Sequence, residues 1–211
     1  MAFYLTLQRQ FKEGDEVIFP VLGFPLYVKI ACQLGLCPKL VDVEKSHLTL
    51  DPEKLESAIS EKTKGVVVTH LFGHPARMDE IMTIAKKHDL FVIEDCAQSY
   101  DSFYKDQTTG TFGDVGIFSC SLMKVPTTLG GGILITKNQS LVVNIRKDLT
   151  NPSYSRTLKE KFPFFVKNSI SILNSYPLLY TLLSYHIFGM IKHRNPRMLR
   201  KILYAGMGMS G

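Results

Sequence analysis

The sequence predicts an α/β fold, a three-layer sandwich with helices on both faces of a mainly parallel sheet. Short apolar runs alternate with amphipathic stretches of about ten residues through residues 1–136, the signature of consecutive βαβ units. One run, Gly65–His70, is so rich in valine that it reads as a strand buried on both faces, which requires cover from helices on each side.

Each element has its own reason. Glu16–Pro20 reads as a first strand, and Phe24–Leu36 as a helix with one apolar face. Lys39–Val43 is a second strand. Asp51-Pro52 starts a helix, with an acid able to accept from exposed backbone N–H groups and a proline where no N–H is needed; it runs on through Leu55, Ala58 and Ile59. After Gly65–His70 comes a helix over Met78–His88, turning Ile81, Ile84 and Ala85 inward. Leu90–Glu94 is the next strand and ends at Asp95. Val115–Ser119 and Gly132–Thr136 are two more, and Leu141–Lys147 continues as a helix. The pattern holds no internal repeat.

Charge divides the chain. Residues 1–150 carry 16 Lys and Arg against 18 Asp and Glu, whereas residues 151–211 carry 9 against one, Glu160. Such a basic end suits anionic partners, yet nothing in it matches a nucleic-acid-binding motif, and none is expected to bind. Cys32, Cys37, Cys96 and Cys120 lack metal-site spacing and sit in apolar segments, so buried free thiols in a reducing compartment are expected. Met1–Phe11 lacks the layout of a secretory signal, which makes the cytoplasm the expected compartment.

The residues with chemical promise collect where strands end. Asp95 follows directly on an apolar strand, and ligands of open α/β sheets bind beyond the carboxyl ends of strands. Gln98 lies three residues on. Ser119 closes another strand, and Lys124 follows it, ahead of Gly130-Gly131-Gly132, where the backbone can pass close to a ligand. Phe24 stands at the junction of the first strand with its helix. A carboxylate of this kind can hold a pyridine nitrogen protonated, and a lysine amine can form a Schiff base with an aldehyde cofactor. Each residue also has an ordinary reading: a turn aspartate, a loop glutamine, a surface lysine, a strand-end serine, a core phenylalanine. His70 and His74 also follow a strand and would face a substrate; without a nearby carboxylate or cysteine in the sequence they do not suggest a metal, and no metal is expected.

Taken in order, Gly14–Ile18, Pro20–Phe24, Val41–Val43, Asp51–Lys64, His70–Pro75, Asp95–Gln98, Gly113–Ser119 and Lys124 resemble the DegT/DnrJ/StrS-type sugar aminotransferases, over about residues 11–136. The resemblance implies the large domain of a type I pyridoxal phosphate (PLP)-dependent transferase over residues 1–150. Its catalytic residues would be Lys124, bonded to the cofactor, and Asp95, paired with the pyridine nitrogen. Gln98 would contact the phenolic oxygen, Ser119 the phosphate and Phe24 the ring face. The family moves an amino group, usually from glutamate, to a nucleotide-linked keto-sugar, and works as a homodimer. A related branch removes a sugar hydroxyl and has histidine in place of the lysine, so Lys124 points to amino transfer.

Three departures accompany the resemblance. The family's serine-glycine-threonine phosphate turn would precede Met1, Val125 stands where asparagine usually follows the lysine, and the small C-terminal domain is missing. The expectation is therefore a fragment, or a degenerate relative acting only as a binding or assembly module. A fold-related enzyme acting on amino acids or cysteine sulfur is a further alternative. Residues 151–211 form a basic and hydrophobic helical segment in which Asn168–Ile191 holds no Lys, Arg, Asp or Glu. It reads either as a buried helical hairpin or as an interfacial segment giving peripheral membrane contact through residues 168–201.

Overall fold

The computed structural model describes residues 1–121, 124–128 and 130–151, together with the single positions 162, 166, 169, 176 and 177. The chain forms two compact units, Met1–Ser155 and Arg156–Gly211. The architecture below is that of the first. The segment 168–201 lies outside the described residues apart from Ser169, Tyr176 and Pro177. Among the described residues no helix is long and apolar enough to cross a membrane.

The elements run α1 (Ala2–Gln10), β1 (Glu16–Pro20), α2 (Pro25–Gln33), β2 (Cys37–Val41), α3 (Pro52–Ala58), β3 (Thr63–Thr69), α4 (Met78–Lys87), β4 (Phe91–Asp95), β5 (Phe103–Tyr104), β6 (Gln107–Thr108), β7 (Val115–Ser119), β8 (Gly132–Thr136) and α5 (Gln139–Leu149). Six strands form one sheet in the order β2-β1-β3-β4-β7-β8, parallel except for the antiparallel β7–β8 pair, and β5–β6 is a small separate hairpin. The chain leaves β1 in one direction to reach β2 and returns past β1 to β3. The crevice at the carboxyl ends of β1 and β3 is thus the topological switch point where open sheets of this kind bind ligands.

Alternation along the strands sorts the core into two layers. Val17, Phe19, Val67, Ile93, Val115 and Ile117 pack with α1, α2 and α5 through Phe3, Leu5, Leu7, Ala31, Leu141 and Ile145. Ile18, Val66, Val68 and Val92 turn the other way, onto Leu55 of α3 and Met78, Ile81, Ile84 and Ala85 of α4. The caps work as the sequence requires: Asp51 accepts from the backbone of Glu53 and Lys54, and Pro52 takes the first turn of α3.

Several sequence expectations shift. The second strand is Cys37–Val41 rather than Lys39–Val43, because it sits at the sheet edge where Pro38 costs no ladder bond on its open side; Val43 keeps only an isolated bridge to Leu50. The helix expected over Phe24–Leu36 is confined to Pro25–Gln33. Cys96 and Cys120 are buried, but Cys32 and Cys37, on the outside of α2 and at the start of the edge strand, are exposed.

Candidate functional site

The site is organised by the last two residues of β4, which point to opposite faces of the sheet. Glu94 joins the α3–α4 side and Asp95 the α1–α2 side.

Glu94 is fully buried. Its Oε1 accepts from the backbone N–H of Phe112 at 2.8 Å and of Gly113 at 2.7 Å. Its Oε2 accepts from the backbone N–H of Gly110 at 2.7 Å and lies 2.9 Å from Nε2 of His70. These donors fill the roughly four acceptor sites a carboxylate offers. The loop can reach Glu94 because Gly110 takes a φ of 87° and packs on Gly116, where a Cβ would fall 2.2 Å from the Gly110 carbonyl oxygen. His70 is equally buried, which corrects the expectation that it faces a substrate. The backbone N–H of Ala76 donates to its Nδ1 at 3.1 Å, so the ring proton sits on Nε2 and goes to Glu94. His70, Glu94 and Cys96 place ligand-type atoms within 4.8 Å of one another, but both ring nitrogens and both carboxylate oxygens are already engaged, so the group does not suit a metal. His74 is exposed.

Asp95 is in a different position. It is 5% exposed, its Oδ1 accepts from the backbone N–H of Ala97 at 3.0 Å, and Tyr27 of α2 packs on the same side of the sheet. Burial pushes its carboxyl above the ordinary range, opposed by the Ala97 N–H, by Tyr27 and by the charge of Lys124. The structure therefore brings Lys124 within electrostatic reach of Asp95. Lys124 is half-buried, and its backbone N–H donates to the Ser121 carbonyl at 2.9 Å. Ser119 sits at the end of β7, and its Oγ lies 3.3 Å from that of Ser121. Ser121 thus links two of the residues singled out in the sequence. Gln98 is exposed, and its Oε1 accepts from the Phe72 N–H at 3.0 Å, which leaves its amide N–H groups to donate elsewhere. Phe72 makes this bond from a left-handed conformation with φ 55°.

At the switch point lies a cavity of about 280 Å³, lined by Phe19, Gly23, Phe24, Tyr27, Val67 and Thr69 among others. Phe24 is 56% exposed and meets Tyr27 edge-on at 5.5 Å. The cavity lining takes in Phe24 but not Lys124, Gln98 or Ser119. Sequence reasoning missed Tyr27, Thr69, Ser121 and the role of Glu94. Tyr27 follows Phe24 by one helical turn, so its face was readable, though its reach to Asp95 was not.

The DegT/DnrJ/EryC1/StrS aminotransferase family profile matches residues 1–167. The chain belongs to this family. GDP-perosamine synthase of Escherichia coli is 40% identical over 129 residues, which is 61% of this chain and 35% of that protein. The DesV structure from S. venezuelae, in complex with a ketimine intermediate, superposes with a TM-score of 0.67 at 32% identity, covering 74% of this chain and 42% of the other. The E. coli GDP-4-keto-6-deoxy-D-mannose-3-dehydratase, solved with bound hydrated PLP, gives a TM-score of 0.63 at 29% identity, covering 66% of this chain and 38% of that one. The chain spans little more than a third of the length of the curated relatives it matches. The family is PLP-dependent, and its members here include both sugar aminotransferases and dehydratases.

The residues present fit that cofactor in kind. A buried carboxylate, a nearby amine, an oriented amide, a strand-end hydroxyl and an exposed aromatic ring all lie at the carboxyl edge of one sheet.

Proposed function

We propose that this chain carries the cofactor-binding part of a sugar aminotransferase that passes an amino group from an amino acid such as glutamate to a nucleotide-linked keto-sugar. The supporting observation is the buried Asp95 at the end of β4, whose carboxyl feels the charge of Lys124. Bound PLP supplies an electron-withdrawing ring that stabilises negative charge at the carbon bearing the amino group. Lys124 would hold the cofactor through its amine and carry the proton that moves during transfer. Asp95 would keep the ring nitrogen protonated, and its shielding from water strengthens that pairing. The free amide N–H of Gln98 would donate to the phenolic oxygen, Ser119 would contribute to phosphate binding, and Phe24 would cover the ring.

The substrate class follows the nucleotide sugars named for the relatives, and the presence of Lys124 favours amino transfer over dehydration. A homodimer in the cytoplasm is part of the same proposal. Exposed Val21, Leu22, Phe24, Leu26 and Phe72 at the site's edge would find cover in it. Residues 151–211 would form a basic, hydrophobic segment of their own.

The test is reductive trapping. The full chain is incubated with PLP, treated with borohydride and mapped by mass spectrometry. The cofactor should be recovered on Lys124, and the Lys124→Ala variant should lose that adduct together with the visible absorbance. Equal absorbance and labelling spread over surface lysines in both proteins would overturn the assignment.

A further inference from the structure

We propose that Phe72 is a positioning residue for the cofactor site: its backbone N–H, presented from a left-handed turn, locks the side-chain amide of Gln98 so that only the NH2 is left for a ligand. This rests on the reading of Gln98 given above and supplies the group that orients it. A primary amide is two-faced, an acceptor at oxygen and a donor at nitrogen, and a half-turn about its last torsion exchanges them. Gln98 is exposed, so packing alone does not decide between the two. The Phe72 N–H does decide, because it can only donate and it stands 3.0 Å from Oε1.

The N–H stands there because the turn after β3 is built to hold it. Phe72 adopts φ 55° and ψ 26°, a conformation that a bulky side chain avoids, and Gly73 follows at φ 82°. Such strain persists only where the surroundings over-determine it, and here both ends of the turn are tied down. At its start, the His70 N–H donates to the Asp95 carbonyl at 3.1 Å, and the buried His70 ring lies 2.9 Å from Glu94. At its end, the Ala76 N–H donates to the same ring at 3.1 Å, and the His74 N–H donates to the Leu71 carbonyl at 2.9 Å. β4 therefore governs both halves of the contact: Glu94 and Asp95 pin the turn, and the chain runs on from Asp95 into Gln98. The Phe72 ring is 71% exposed, so burial of the side chain does not offset the strain. What the conformation secures is the N–H, and through it a Gln98 that meets a ligand oxygen as a donor.

Two substitutions at this exposed position separate backbone from side chain. Asparagine is at home in the left-handed region and β-branched valine is not, so Phe72→Asn keeps the turn and Phe72→Val displaces its N–H. The first measurement, on the full chain without cofactor, is hydrogen exchange at the Phe72 amide. Gln98→Met keeps the length of the side chain and removes the acceptor, and exchange should quicken on the order of tenfold, the scale of one hydrogen bond. The second is the pH titration of the visible absorbance of bound PLP. A donor on the phenolic oxygen favours its anionic form, so Gln98→Met should move the titration to higher pH by about one pH unit. Phe72→Val should move it the same way, and Phe72→Asn should stay with the parent. Phe72 exchange indifferent to Gln98→Met would overturn the positioning role while leaving a Lys124 adduct in place. So would a titration that Gln98→Met or Phe72→Val fails to move, or that Phe72→Asn moves as far as Phe72→Val. Absence of a Lys124 adduct in every protein would instead overturn the cofactor reading, and with it the role at the cofactor, even where exchange shows the bond from Phe72 to Gln98.

Discussion

Glu94 and Asp95 are neighbours on one strand and opposites in every other respect. Both are buried acids, so both need compensation for leaving water. Glu94 receives it in full from three backbone N–H groups and the His70 ring, and serves to tie the loop ahead of β7 to the sheet. Asp95 receives one backbone N–H, that of Ala97, and burial drives its carboxyl upward. The two faces of β4 thus divide labour between a closed polar network that fixes structure and an acid held with acceptor capacity to spare. Acceptor capacity left over in a buried group is the physical trace of a ligand site.

The contrast can be broken most directly at Glu94. Glu94→Ala would leave the N–H groups of Gly110, Phe112 and Gly113 and the Nε2 proton of His70 without their acceptor. At about 1–3 kcal/mol for each buried unpaired donor, a loss of about 4 kcal/mol or more is expected in urea denaturation. A loss no larger than that of Asp95→Ala would end the distinction between the two acids. The next effect tests the loop itself. Gly116→Ala sets a methyl group 2.2 Å from the Gly110 carbonyl oxygen, backbone that no rotamer can move aside. About 1–3 kcal/mol of destabilisation should appear in a thermal melt, as for other overpacked sites.

Asp95→Asn should have the reverse sign. The folded carboxyl titrates above its unfolded value, so its favourable contribution is complete below the unfolded pKa and is lost as pH rises through the folded one. At neutral pH the carboxylate therefore costs stability, and the amide should raise Tm by roughly 2–4 °C for each kcal/mol recovered. The gain should shrink to nothing in acid. A variant that melts lower than its parent at pH 7 would show that Asp95 is as well satisfied as Glu94.

The smallest effect lies away from both acids. The Arg9 guanidinium makes a paired contact with the Asp148 carboxylate, joining α1 to α5, and holds that carboxyl below its usual range. Its contribution is present above the unfolded Asp pKa and disappears as pH falls through the lowered one. Arg9→Ala should thus differ slightly from the parent in thermal melts at pH 7 and coincide with it in strong acid.

Strand identity was readable wherever apolar residues run together between clear breaks. Glu16–Pro20, Val115–Ser119 and Gly132–Thr136 are found with the ends the sequence implies. The Phe103–Thr108 hairpin was not readable, since its strands are two residues long and its turn uses Lys105 at φ 53° in place of glycine or asparagine. Asp95, Gln98, Ser119 and Lys124 were legible as strand-end and loop residues. What escaped was their company, because Tyr27 on α2 and Gly110 ahead of β7 meet β4 only once the sheet is assembled. An in-strand glutamate beside Ile93 was the one local hint of a buried network, since a charge at such a position demands partners from elsewhere in the chain.

Cys96 follows the two acids, and burial, with the charge of Glu94 behind it, pushes its thiol far above the ordinary range. A thiol that resists ionisation is a poor nucleophile, so this one should react slowly with alkylating reagents. Cys32 and Cys37, being exposed, offer an internal reference in the same tube. The ratio of slow to fast alkylation then becomes a clock for opening at the end of β4, readable without a cofactor, a substrate or an assay of turnover.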